Sequence, residues 1–217
     1  MAYAAQVIIA FSLGSDSDLI SKSIDALKEK AKPRKLPTFS GVLTEHPASE
    51  QDEKLLKGFF TAFGKKADGV RIYLMGHADW LAHRIGVWSS EQVADLLNDA
   101  GFTGNGVISM IGCEAARTLD NEYPSGEVAD WEDSLATKLH YHLKKKHEIE
   151  AVVYARIKSV GVFSDLHKEK FDDPEVFAAL KGRKFVLLKD DVRANKQAST
   201  KLIFYWNDNK QMCGWAY

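Results

Sequence analysis

Apolar residues in this chain fall into short uninterrupted runs, separated by stretches in which they recur every three or four positions. The runs at 6–11, 70–75, 107–111 and 151–155 show little polar alternation, as expected of strands covered on both faces in a parallel sheet. The stretches between them read as amphipathic helices. Residues 18–30 place Leu19, Ile20, Ile24 and Leu27 at helical spacing. The segment after Ser49 carries Leu55, Leu56, Phe59, Phe60 and Phe63 and stops at Gly64. The segment after Ser89 carries Val93, Leu96 and Leu97 before Gly101, and Trp131, Leu135 and Leu139 mark a fourth helix ending in the basic run 144–146. Ser49 with Asp52, and Ser89 with Gln92, have the spacing of N-terminal capping boxes. Pro33 and Pro37 mark one loop, and a Tyr-Pro-Ser-Gly turn sits in another at 122–126. Strands alternating with helices predict an α/β three-layer sandwich, with a mainly parallel central sheet and flanking helices.

The pattern changes after about residue 165, where the chain becomes basic and strand-rich. Runs at 185–188 and 201–206, separated by a polar loop, read as a C-terminal β-hairpin flap on the α/β body. No repeat and no long linker divides the 217 residues, so the expectation is one domain, 1–217, with a body over about 1–160 and a flap over about 165–217.

Lys and Arg (29) nearly balance Asp and Glu (30), which gives no global argument for nucleic acid or an anionic membrane surface. No apolar run approaches the ~18–20 residues that cross a bilayer, and the first run lacks the flanks of a signal peptide. Two cysteines, Cys113 and Cys213, are too few for a disulfide framework and fit a reducing compartment such as a cytosol.

Two strand-like runs end on glycine and a reactive side chain. Arg71-Ile72-Tyr73-Leu74-Met75 leads into Gly76-His77, and Val107-Ile108-Ser109-Met110-Ile111 leads into Gly112-Cys113. Neighbouring parallel strands present catalytic groups at their carboxyl ends, so an imidazole and a thiol side by side there form a nucleophile and its base. The amides of Ala78 and Cys113 are the natural oxyanion donors. Taken alone, Cys113 reads equally as a small buried hydrophobe and His77 as a residue satisfying a loop carbonyl. His83 is an alternative partner for Cys113, and Asp16, Asp18 and Glu45 are candidates for orienting His77. His140, His142 and His147 do not share a helical face, so no metal site is expected.

The Gly-His block followed by the Gly-Cys block resembles the caspase–haemoglobinase (clan CD) cysteine peptidases. Within them it is most similar to the self-processing protease domain of RTX and large glucosylating toxins. Ile85-Gly86-Val87-Trp88-Ser89, Val152-Tyr154-Ala155-Arg156 and Lys201-Leu202-Ile203-Phe204-Tyr205-Trp206-Asn207-Asp208 extend the likeness over roughly 70–208. The resemblance implies a caspase-haemoglobinase-like fold and a thiol endopeptidase, with Cys113 as nucleophile, His77 as general base and a protein or peptide substrate cleaved after leucine. It also implies allosteric activation by inositol hexakisphosphate bound to Arg71, Arg156, Lys168, Lys196 and Lys201, with His167, Arg183 and Lys184 nearby. Three departures stand out. Ala78 replaces the family's glycine after the catalytic histidine. The segment between Lys168 and Lys196 is longer and carries a helix-like piece at 174–180. The chain also begins directly before its first strand, which favours a separate substrate over self-processing; the compartment expected is the cytoplasm, or a host cytosol after delivery as a toxin or effector. A catalytically silent polyanion- or protein-binding module and a thiol-dependent deamidase are the competing expectations.

Overall fold

The structure, a computed structural model, describes residues 3–118, 131–170, 173–186 and 201–216. In chain order the elements are β1 (Ala5–Phe11), α1 (Ser17–Ala31), β2 (Thr38–Leu43), α2 (Glu50–Phe63), β3 (Val70–Gly76), then three two-residue strands, β4 (Ala78–Asp79), β5 (Arg84–Ile85) and β6 (Trp88–Ser89). They continue with α3 (Ser90–Asp99), β7 (Gly106–Ile111), α4 (Leu135–His147), β8 (Val152–Arg156), β9 (Val160–Val162), α5 (Pro174–Leu180), β10 (Lys184–Val186), β11 (Lys201–Asn207) and β12 (Lys210–Trp215). Short 3-10 turns lie at Lys32–Arg34 and Asp165–Lys170.

The main sheet has the order β12-β11-β8-β7-β3-β1-β2. Its strands β2, β1, β3, β7 and β8 run parallel, and β11 and β12 extend it antiparallel beyond β8. Because successive strand side chains point to opposite faces, the sheet buries two separate apolar layers. On one face Val7, Ile9, Ile72, Leu74, Ile108, Met110 and Val153 meet Leu56 and Phe60 of α2, Val93 and Leu97 of α3, and Leu135, Leu139 and Leu143 of α4. On the other face Ile8, Ala10, Tyr73, Met75 and Ile111 meet Ile20, Ile24 and Leu27 of α1 together with Val160 and Val162 of β9. Helices on both faces of a mostly parallel sheet make the expected three-layer α/β arrangement. No helix among the described residues is long and apolar enough to cross a membrane.

The caps form where their spacing placed them. Ser49 accepts from the Asp52 amide, and Ser89 and Gln92 make a reciprocal box. Two expectations need correction. Trp131 lies before α4, because Ser134 is its N-cap; the indole packs instead on Phe204, with ring centroids 6.1 Å apart. The two C-terminal runs are not hairpin partners either. β10 pairs antiparallel with β9, and β11 pairs with β8 and β12. The actual hairpin turns at Asp208 and Asn209, whose φ of +46° and +65° suit a two-residue turn matched to strand twist. Cys213 sits on β12 opposite Phe204, where burial pushes its thiol up to about 12 and keeps it protonated. The turn at 122–126 and residues 187 and 188 lie outside the described residues.

The buried face of α4 holds a neutral imidazole. His140 is stacked on Trp206 at 5.1 Å, and the Gln211 amide donates to its Nδ1 at 2.7 Å. Burial lowers its pKa from 6.5 to about 4, with a smaller opposing effect from the Ala151 backbone. The unfolded chain therefore binds the extra proton between those values, and stability falls as pH drops from about 6.5 to about 4. In denaturant titrations between pH 7 and pH 4, the wild type is expected to lose roughly 3 kcal/mol more than His140→Phe. Parallel losses in the two proteins would contradict this.

Candidate active site

The β3–β7 register pairs Val70 with Gly106 and runs through to Met75 with Ile111. His77 and Cys113 each stand two residues past the last pair of that register. Adjacent strands are ~4.8 Å apart, and the glycines show how close the two chains stay past the end of pairing. A Cβ on Gly112 would stand 3.1 Å from the Ala78 Cβ, 3.1 Å from the Gly76 carbonyl oxygen and 3.9 Å from the Ala78 amide nitrogen. A Cβ on Gly76 would stand 2.5 Å from the Phe11 carbonyl oxygen at the tip of β1. The histidine tip is thus wedged between the ends of β1 and β7.

Local structure fixes each tip. The His77 carbonyl accepts from the Gly86 amide at 2.8 Å, and the Asp79 carboxylate accepts from the Leu81 and Ala82 amides at 3.1 and 3.0 Å, which closes the β4–β5 turn. His77 is exposed and Cys113 half-buried. Ala78 is buried and lies outside the left-handed region, so it needs no glycine. Beyond Cys113, Glu114 is left-handed (φ +56°) and its carboxylate accepts from Arg117 at 2.6 Å. The Arg117 guanidinium lies over Trp80, 4.5 Å from the ring centroid. The amide of Ala116 donates to the Arg156 carbonyl at 3.0 Å, and the Ala136 amide to the Ala115 carbonyl at 2.9 Å, anchoring the cysteine loop to β8 and α4.

The other candidates are engaged elsewhere. His83 Nε2 meets the Asp133 carbonyl at 2.7 Å and its Nδ1 meets Lys138 Nζ at 3.2 Å, so both ring nitrogens have partners away from Cys113. Asp16 accepts from Ser12 Oγ at 2.7 Å and from the Leu13 amide at 3.1 Å, and Asp18 pairs with Lys22. His147 bonds Asp95 at 2.7 Å.

The same strands carry a cluster of cations on the α1 face. Register aligns Ile8, Tyr73, Ser109, Tyr154 and Ile203 in one row across the sheet. Arg71 lies over Tyr73 (5.0 Å) and Tyr3 (5.6 Å), and Lys201, paired in register with Arg156, over Tyr154 (4.1 Å). Lys184 lies over Tyr73 (5.5 Å) and donates to Ser109 Oγ at 2.6 Å. Lys30 and Arg34 join Arg71, Tyr3, Gln6 and Tyr73 around a cavity of about 280 Å³.

Among the described residues, no carboxylate is ion-paired to Lys30, Arg34, Arg71, Lys184 or Lys201. Lys181 nearby, by contrast, holds both Glu29 and Asp165. Burial and then mutual repulsion lower the lysines. Lys201 is lowered by burial and by Arg156 and Arg71, and Lys30 by burial and by Arg71, Arg183 and Arg34. Lys184 keeps part of its surface open but its amine is enclosed and pushed well below the ordinary lysine range.

Of the expected polyphosphate set, Arg71, Arg156 and Lys201 come together. Lys168 is exposed on the Asp165–Lys170 turn and is not among the cations acting most strongly on that cluster. Lys196 lies outside the described residues. Lys30 and Arg34 were outside the expected set; their i, i+4 spacing at the end of α1 was the available signal. A larger groove of about 460 Å³ between α2 and α3 includes none of these residues, nor His77 or Cys113.

No protein-family model matches this chain, and no curated protein does. Among solved structures, a GDP-L-fucose synthetase from Naegleria fowleri aligns with 66% of this chain and 42% of its own at 13% identity and a TM-score of 0.28. That likeness bears on neither fold nor function.

The wedge at the histidine tip has a measurable consequence. Gly76→Ala drives a methyl into the Phe11 carbonyl and is expected to cost about 1–3 kcal/mol. For a chain of this size that lowers Tm by ~2–4 °C per kcal/mol. An unchanged Tm by calorimetry would show that the strand ends are not packed as described.

Proposed function

We propose that this chain is a caspase–haemoglobinase-like cysteine endopeptidase gated by an inositol polyphosphate. The observation that carries the reading is the parallel β3–β7 pairing, which ends at Met75 with Ile111, two residues short of both His77 and Cys113. The imidazole takes the Cys113 proton, and the thiolate attacks the scissile carbonyl carbon. The resulting oxyanion is met by backbone N–H donors; the amides of Ala78 and Cys113 fill that role, each worth ~2.7–4 kcal/mol of barrier. The imidazolium then protonates the leaving amine, and water hydrolyses the thioester. Cleavage after leucine follows from the family resemblance alone, whereas work in a reducing compartment is argued from the two free cysteines.

Support for gating comes from the cation face. Convergent Lys and Arg side chains suit a ligand bearing many phosphates, which Arg binds bidentately. Inositol hexakisphosphate is that ligand in this proposal. Arg156 links the two regions, since it belongs to the cluster and its carbonyl holds the Ala116 amide of the cysteine loop. Binding orders that loop by population shift, which for a full switch requires ~5.5 kcal/mol of preference for the ordered state.

The cation face also favours a second reading, a catalytically silent polyanion-binding module. Irreversible labelling by a leucyl acyloxymethyl ketone separates the two. The endopeptidase labels at Cys113 faster with inositol hexakisphosphate present, and His77→Ala slows labelling by 10²-fold or more. Absence of labelling under both conditions, with thermal stabilisation by the ligand retained in Cys113→Ala, supports the silent module. Deamidation leaves a substrate chain intact, as its mass reveals. In a second measurement, Arg71→Gln is expected to raise the Kd for inositol hexakisphosphate at least tenfold and to flatten its salt dependence. Unchanged binding would remove the gating role from this face.

A further inference from the structure

Lys184 is the least ordinary member of the cation cluster, and the foregoing chemistry makes no use of its bond to Ser109. Its amine enters the protein from β10, on the two-stranded β9–β10 sheet, and reaches the central strand β7, where it donates to Ser109 Oγ at 2.6 Å. Ser109 is the one polar side chain within the apolar run 107–111 that ends four residues on at Cys113, and it is buried. The elements around the amine bring cations and aromatic rings to it. β3 supplies Arg71 and Tyr73, α1 supplies Lys30, β8 supplies Arg156 and Tyr154, β11 supplies Lys201, and the facing β9 residue is Val162. The charged groups acting on it most strongly are all cations, and among the described residues it has no ion pair. A serine hydroxyl is a sufficient partner for a neutral amine and a poor one for an enclosed ammonium surrounded by four cations.

Resting on the polyphosphate reading above, we propose that Lys184 is a proton-coupled ligand of the polyanion: it is docked on Ser109 as the free amine, and on binding it leaves the hydroxyl, takes one proton from solvent and pairs with phosphate. The balance is R–NH₂ plus H⁺ giving R–NH₃⁺, with no other bond made or broken. Burial, followed by Arg71, Lys201, Arg156 and Lys30, disfavours the charged form of Lys184, and a phosphate cluster opposes the effect of those cations. Since the bound form carries the extra proton, affinity falls as pH rises above neutrality. Activation, which in this reading requires the bound polyanion, carries the same pH dependence.

The test is isothermal titration of inositol hexakisphosphate into the full chain near pH 8, in two buffers of different ionisation enthalpy. Comparison of variants removes proton exchange by the phosphates, by Lys30 and by Lys201. Wild type is expected to take up about one proton more than Lys184→Met. Ser109→Ala, which keeps the amine and removes its resting partner, is expected to bind several-fold more tightly than wild type. Equal proton uptake in wild type and Lys184→Met, or weaker or unchanged binding by Ser109→Ala, overturns the inference while leaving the polyphosphate site standing. No binding by wild type overturns both.

Discussion

The parallel pairing of β3 with β7 is the constraint on which the rest of this molecule depends, and glycine seals it at both ends. At the amino end Gly106 is left-handed (φ +128°), and a Cβ there would lie 2.0 Å from the Val70 carbonyl oxygen. A Cβ on Gly69 would meet the Asn105 backbone at 2.8 Å. At the carboxyl end Gly76 and Gly112 allow the two chains to leave the sheet still touching. Close packing makes such contacts all-or-none, because a methyl cannot enter without displacing backbone. Register, fixed by burial on both faces, then dictates which residues emerge side by side. His77 and Cys113 each follow the last pair of that register by two residues, at the same edge of the sheet.

The same two strands divide two kinds of chemistry along their length. Their tips carry the imidazole and the thiol, while their α1 face carries Arg71 and Ser109 within otherwise apolar runs. The aromatic faces of Tyr73 and Tyr154 partly stabilise Arg71, Lys184 and Lys201, none of which is ion-paired to a carboxylate among the described residues. Such a cluster is a cost in the empty protein and a gain once an anion arrives. Through the Arg156 carbonyl, which accepts from the Ala116 amide, the cluster is connected to the cysteine loop.

The parts of this architecture set by local chemistry were legible in the amino-acid order. The unbroken apolar runs gave the parallel core strands, and Ser49, Ser89 and Gly64 gave the helix ends. What was not legible depends on partners distant in sequence. Residues 184–186 look like the first arm of a hairpin with 201–207, yet they pair with β9, because the Asp208–Asn209 turn brings β12 to the free edge of β11. Trp131 has helical spacing with Leu135 and Leu139 but stands before the Ser134 cap, packed on Phe204. Lys30 and Arg34 could not be told from a solvated helix end, since only the tertiary fold turns them toward Arg71. Arg71 and Ser109 were the readable clues, polar groups inside strands buried on both faces.

The central claim is that the Cys113 sulfur and the His77 imidazole share a proton, and the pH dependence of Cys113 alkylation tests it most directly. With Cys213 replaced by serine and inositol hexakisphosphate present, the rate of iodoacetamide modification is measured from pH 5 to pH 10 in wild type and in His77→Ala. The account predicts that wild type stays reactive at pH 6–7 while His77→Ala loses its reactivity there and recovers it only at alkaline pH. Superimposable profiles would contradict it.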